Sequence, residues 1–185
     1  FIKYSDTLYL IDYIDVPDAF DDLSVGTLEA WIKLAQLGLA HDLFCSSAFT
    51  AGAVRDFMYF SPEADNKLGF RVLNPAGTVI VYGTTNNTLS VDTWYHVVCT
   101  ISTSGNAIFR DGVAQAMTYT QGNAAIQAFF NTLSATQETY IGRLLYDGVY
   151  YARFKGIVGE VRIYNRALTA AEIQQNYQVT KWRYQ

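Results

Sequence analysis

The chain has 185 residues, enough to bury a sizeable core yet within what one β-sandwich uses, so a single domain over 1–185 is expected. A net charge of −4 without any basic run excludes recognition of a phosphate backbone, which needs a stripe of Lys and Arg; no nucleic-acid partner is expected. No apolar stretch approaches the roughly 18 residues of a membrane span, so membrane insertion is not expected. Charged residues are only 16% of the chain against 14 Tyr, 11 Phe and 3 Trp, a balance that points to β-structure with aromatic surface.

The start, Phe1-Ile2-Lys3-Tyr4, has neither an initiator Met nor a signal-peptide layout, so the chain is expected to be a processed or excised part of something longer. Two cysteines, Cys45 and Cys99, permit one internal disulfide; two buried free thiols are an equally ordinary outcome.

In chain order, Leu8 to Val16 is β-rich and stops at Pro17. Pro17 to Gly26 holds Asp18, Asp21 and Asp22 among turn formers and reads as a solvated loop. Thr27 to Leu34 alternates, with Leu28, Ala30, Ile32 and Leu34 on a core face and Thr27, Glu29, Trp31 and Lys33 on the other. On that second face Trp31 is either packed or available to a ligand. Shorter strands are expected at Asp42 to Ser46, Asp56 to Ser61, Leu68 to Leu73 and Thr78 to Tyr82, the last two joined by the turn Asn74-Pro75-Ala76-Gly77. Asn86-Asn87-Thr88 has the form of a glycosylation sequon.

Thr93 to Ser102 is the most hydrophobic strand and should be central. Ala107 to Arg110 then leads into Asp111-Gly112, a type I′ turn signal, which makes Val113 to Tyr119 its expected partner. Thr120 to Gln137 lacks periodicity, and Phe129 and Phe130 are expected to pin it to the body. A strand returns at Glu138 to Arg143, and Leu144 to Arg153 forms a loop or hairpin tip rich in Tyr. Lys155 to Tyr164 alternates as a strand after Gly156 and Gly159 interrupt its start. Thr169 with Glu172 reads as a capping box, and Leu168 with Ile173 as a hydrophobic staple, so a short helix closes the chain.

The run Gly159 to Thr169, Gly-Glu-Val-Arg-Ile-Tyr-Asn-Arg-Ala-Leu-Thr, followed by Ala170 to Ile173, resembles the C-terminal signature of laminin-G-like, concanavalin A-like lectin/glucanase jelly-roll domains. Trp94-Tyr95-His96-Val97 and Ile108 to Val113 resemble the same family's W-x-H strand and Asp-Gly hairpin. The resemblance spans about Leu8 to Tyr177. It implies an all-β fold, a two-sheet antiparallel β-sandwich with one short C-terminal helix. It also implies a possible Ca2+ site, made doubtful because Gly159 stands where many relatives carry Asp; no metal ligands are assigned. In the pentraxin branch an H-x-C strand carries a disulfide, but here His96 and Cys99 are one residue further apart, which sends the side chain to the other face, so that pairing does not carry over.

Catalysis finds little support. Retaining glycoside hydrolysis needs two carboxyl groups about 5 Å apart, on a strand the same face at close spacing. Glu160 stands alone, Asp12 and Asp15 have opposite parity, and Glu63 and Asp65 fall in a turn. The E-x-D-x-x-E motif of laminarinase-like enzymes is absent, and so is any nucleophile, phosphate-loop or zinc motif. His96 reads as a structural imidazole bonded to a neighbour, and His41 as half of a loop pair with Asp42. No enzyme is expected.

Aromatic surface remains, since sugars lay C–H faces on rings while their hydroxyls find short polar groups. The candidate binding residues are Tyr146, Asp147, Tyr150, Tyr151, Arg143, Arg153 and Trp31. The expected function is a non-catalytic carbohydrate-binding or adhesion module, extracellular, cell-surface or on a virion surface, whose partner is a glycan or a surface protein. The alternative is a structural surface protein, a virion decoration or filament subunit, that self-associates. A glycoside hydrolase ranks third.

Overall fold

The computed structural model of the chain describes residues 2–3, 13–16, 20–48, 56–134, 137–146, 149–151 and 154–184. Fifteen strands succeed one another: β1 (Ile2–Lys3), β2 (Ile14–Val16), β3 (Gly26–Leu34), β4 (Phe44–Ala48), β5 (Asp56–Pro62), β6 (Lys67–Leu73), β7 (Val79–Thr88), β8 (Trp94–Ser102), β9 (Gly105–Arg110), β10 (Val113–Ala114), β11 (Met117–Gln121), β12 (Gln137–Ile141), β13 (Leu144–Tyr146), β14 (Val149–Tyr151) and β15 (Gly156–Tyr164). One α-helix among the described residues, α1 (Ala170–Thr180), comes after them.

The strands form a six-stranded sheet ordered β1-β15-β3-β8-β9-β10, a seven-stranded sheet ordered β11-β7-β6-β5-β4-β12-β2, and the hairpin β13-β14. Every pairing within them is antiparallel. The expected sandwich with one short C-terminal helix is therefore the fold. Its core lies between the sheets, as strand alternation dictates. Leu28, Ala30, Ile32 and Leu34 of β3 with Val97, Cys99 and Ile101 of β8 pack toward Phe44, Met58, Phe60, Leu68, Phe70, Val72 and Val81. Phe129 and Phe130 are fully buried in this core and hold the irregular segment before β12 against it.

Local signals act where the sequence puts them. Gly77 takes φ 75° in the β6-β7 turn, and Asp111 and Gly112 take φ 53° and 78° between β9 and β10. The strand after that turn is shorter than expected, however. Only Val113 and Ala114 pair with β9, and the chain then crosses to the other sheet, where Met117 to Gln121 pair with β7. Val113 to Tyr119 is thus two short strands in two sheets rather than one hairpin arm.

The other face of β3 is also buried. Helix α1 lies over it, with Leu168 and Ile173 packed on Val98 and Phe109 of the six-stranded sheet. Thr169 Oγ1 accepts from the Glu172 amide at 3.3 Å and the Glu172 carboxylate accepts from the Thr169 amide at 2.8 Å, the reciprocal cap that fixes the helix start. Trp31 belongs to this layer. Its ring stacks on Tyr184 with centroids 4.4 Å apart, and its indole N–H donates to Thr180 Oγ1 at 3.0 Å. At 4% exposure Trp31 is packing, and the ligand-facing option for it is corrected. Gly159, which sits in a bulge of β15, lies under the Tyr184 ring: a Cβ there would come within 2.7 Å of that ring. The glycine makes room for the aromatic layer, and an Asp in its place would collide with it.

The possible Cys45–Cys99 bridge is likewise corrected. Both are buried free thiols, Cys99 in the core on β8 and Cys45 in the opposite sheet, paired in register with Tyr59 and Tyr140 on the face turned away from that core. Burial pushes both thiols well above the ordinary thiol range, so neither is a ready nucleophile.

Candidate functional site on the outer face of the seven-stranded sheet

No helix covers the outer face of the seven-stranded sheet among the described residues. Because a strand's side chains alternate, the residues next to the core row must face outward. Cα partners run in one continuous row across six strands: Asp15, Tyr140, Cys45, Tyr59, Arg71 and Tyr82. Phe57 and Leu73 pair in the adjoining row. Phe57, Tyr59, Arg71 and Leu73, with Leu144 from β13, line a cavity of about 340 Å³, within the range of small-molecule sites.

The site's chemistry is a platform of rings around one cation. Phe57 and Tyr59 stack with centroids 5.9 Å apart and planes 7° from parallel. Arg71 lies between Phe57 and Tyr82, its Cζ 5.3 Å from each ring centroid, a distance that gives cation–π attraction. Glu63 folds back from its turn over Gly69, where any Cβ would strike the carboxylate. The Tyr59 hydroxyl lies in hydrogen-bonding reach of Glu63 on one side and Tyr82 on the other. One oxygen of Glu63 is buried without a hydrogen-bond partner. Burial pushes the Glu63 carboxyl above the usual carboxylate range, Asp65 adds to this, and the Tyr59 hydrogen bond and Arg71 charge oppose it. Burial, with the Glu63 charge nearby, also raises Tyr59 and Tyr82. Asp42, 4% exposed at the foot of β4, is raised well above its ordinary value by burial and by Glu63.

The residues named from sequence are distributed differently. Arg143 is 6% exposed and clamped between two rings, its Cζ 3.2 Å from the Tyr13 centroid and 4.1 Å from that of Tyr140. It serves the sheet edge and does not reach the cavity. Tyr146, Tyr150 and Tyr151 fall on the hairpin β13-β14, in which Leu144 pairs with Tyr151 and Tyr146 with Val149. The hairpin begins at the cavity wall, because Leu144 is part of that wall. Asp147 and Arg153 lie outside the described residues, as does Asp18. Among the described residues no three His, Cys, Asp or Glu side chains converge as metal ligands would.

Both histidines are structural. His96 Nε2 is 2.9 Å from Glu29 Oε1 beneath α1, and Asn176 Nδ2 donates to Glu29 Oε2 at 2.9 Å. His41 is 1% exposed, accepts from the Lys155 amide through Nδ1 and donates through Nε2 to the Gln36 carbonyl, both at 3.0 Å.

Tyr59, Arg71, Tyr82 and Phe57 were missed in the sequence. The signal is there: period two puts Phe57, Tyr59 and Ser61 in one row and Met58 and Phe60 in another. Both rows are apolar enough to face a core, so alternation alone does not say which one does.

The model of the concanavalin A-like lectin/glucanases superfamily matches residues 11–174. The chain belongs to this family. No curated protein sequence matches it. Among solved structures it is similar to the CBM40 of the Ruminococcus gnavus IT-sialidase bound to α2,3-sialyllactose, at TM-score 0.70 and 12% identity over 90% of this chain and 97% of that one. It is similar to domain 4 of an extracellular arabinanase of Geobacillus stearothermophilus in complex with arabinotriose, at TM-score 0.63 and 17% identity over 88% and 71%. A heptameric SAP-like pentraxin of Limulus polyphemus gives TM-score 0.54 and 18% identity over 82% and 69%. At these identities the likeness is one of fold.

Proposed function

We propose that this member of the family is a non-catalytic carbohydrate-binding module acting outside the cell or on a cell or virion surface, and that it binds glycan on the outer face of its seven-stranded sheet. The observation that carries this reading is the ring-lined cavity of about 340 Å³ around Arg71, open on a sheet face that no helix covers among the described residues. Flat rings receive sugar C–H faces, and Tyr59, Tyr82, Glu63 and Arg71 offer polar groups at their edges. Two structures of similar fold hold glycans, sialyllactose in one and arabinotriose in the other. An extracellular setting is supported by the source of the arabinanase domain. No helix among the described residues is long and apolar enough to cross a membrane.

A binding role fits the carboxyl groups better than hydrolysis does. A retaining glycosidase needs one ionised carboxylate beside a protonated one. Glu63 and Asp42 are both pushed toward the neutral form by burial. Calorimetry against a panel of oligosaccharides, with and without Ca2+, tests the proposal: binding that weakens about tenfold in Tyr59→Ala, with no hydrolysis products, is expected. A panel without a single binder would overturn it.

The structural-protein reading has one observation of its own: Trp182 and Val179, near the end of α1, are 70% and 56% exposed. Exposed aromatic and aliphatic groups of this kind suit a protein contact. Sedimentation that reveals oligomers in the parent chain and monomers in Trp182→Ala would favour it.

A further inference from the structure

We propose that the cavity selects sugars bearing a carboxylate, with Arg71 as the residue that determines this preference; the inference rests on the carbohydrate-binding reading above. Arg71 is a cation that closes no salt bridge among the described residues, although the Glu63 carboxyl lies within reach of its charge. It lies against the faces of Phe57 and Tyr82. Its Nε is buried without a hydrogen-bond partner. Rings orient a guanidinium but do not neutralise it, and they leave its planar edge for a carboxylate to meet with two parallel hydrogen bonds.

Neither nearby acid, Glu63 or Asp65, closes a salt bridge with Arg71. Asp65 is engaged by Lys67 at 3.1 Å. Glu63 is held toward its neutral form by burial, and one of its oxygens is buried without a partner. A net charge of −4 gives the chain no general attraction for anions, so a preference for an acidic sugar would come from Arg71 in the cavity. Removing a partly buried charge from water is costly unless it finds a counter-charge, and a bound carboxylate provides one.

The test compares matched ligands by calorimetry: sialyllactose against lactose, and polygalacturonate oligomers against galactan oligomers. The acidic member of at least one pair is expected to bind about tenfold or more tightly, with the advantage shrinking as salt is raised. In Arg71→Gln the preference should vanish, the ratio of acidic to neutral affinity falling to about one. In Arg71→Lys, which keeps the charge but loses the fork, part of the preference should remain. Thermal melts of each variant identify any that fail to fold, and the Lys variant then stands in for the Gln variant. Equal binding of acidic and neutral members, or a preference that survives Arg71→Gln, overturns this inference and leaves the carbohydrate-binding proposal standing. No binding of any member overturns both.

Discussion

Trp31 and Glu29 illustrate how much of this molecule is decided side chain by side chain. Both point away from the sandwich core, yet both are buried, because the chain's end lies over them. Truncating Trp31 removes an indole that stacks on Tyr184 and bonds Thr180. Trp31→Ala should therefore cost about 3–5 kcal/mol of unfolding free energy in urea titrations. Glu29 is subject to opposing effects. Burial raises its carboxyl, but the hydrogen bond and charge of His96, with hydrogen bonds from Tyr164 and Asn176, outweigh it and leave the group below its ordinary 4.5. A carboxylate lowered on folding contributes stability that is fully present above its unfolded value and is lost as pH falls through the folded one. The stability difference between the parent chain and Glu29→Gln should accordingly shrink as pH falls below about 4.5. Denaturant midpoints measured across that range check it.

The elements record which signals are local. The cap of α1 needs only Thr169 and Glu172 three residues apart, and it forms as read; Thr169→Ala should cost about 1 kcal/mol, measured by chemical denaturation. The turn at Asp111-Gly112 is equally local, and both residues adopt positive φ. Gly112→Ala should destabilise the hairpin, since the position combines φ 78° with the side chain and Cα of Gln174 close by. The path of the chain beyond that turn was not legible. Nothing in Val113 to Tyr119 marks the place where two residues finish one sheet and five begin another. Gly159 is a further case. In the chain alone it is a missing carboxylate, whereas in the fold it is the space that Tyr184 occupies, with the Tyr184 hydroxyl accepting from the Glu160 amide at 3.0 Å. Gly159→Asp should lower the melting temperature by displacing the aromatic layer, and should not create a Ca2+ dependence of that temperature.

At the scale of the molecule, the two sheet faces have different fates. One outer face is covered by the closing helix through Leu168 and Ile173. The other carries the row from Tyr140 through Tyr59 and Arg71 to Tyr82 and holds the proposed site. The tyrosine hairpin named from the sequence adjoins that site through Leu144. Tyr150→Ala with Tyr151→Ala should thus weaken glycan binding less than Tyr59→Ala, as titration calorimetry on the same oligosaccharide would record.

The amino-acid order by itself determined the alternating strands, their Gly and Asp-Gly turns, the capped helix and, through the closing motif, the family. Each of these depends on residues within a turn or two of one another, where backbone sterics and side-chain periodicity act directly. Tertiary structure alone decided that Trp31 is packed, that Cys45 and Cys99 belong to different sheets, and that Tyr59, Arg71 and Tyr82 stand side by side. Those outcomes depend on strand order and on which face of each sheet a later segment covers, and no spacing along the chain encodes either one.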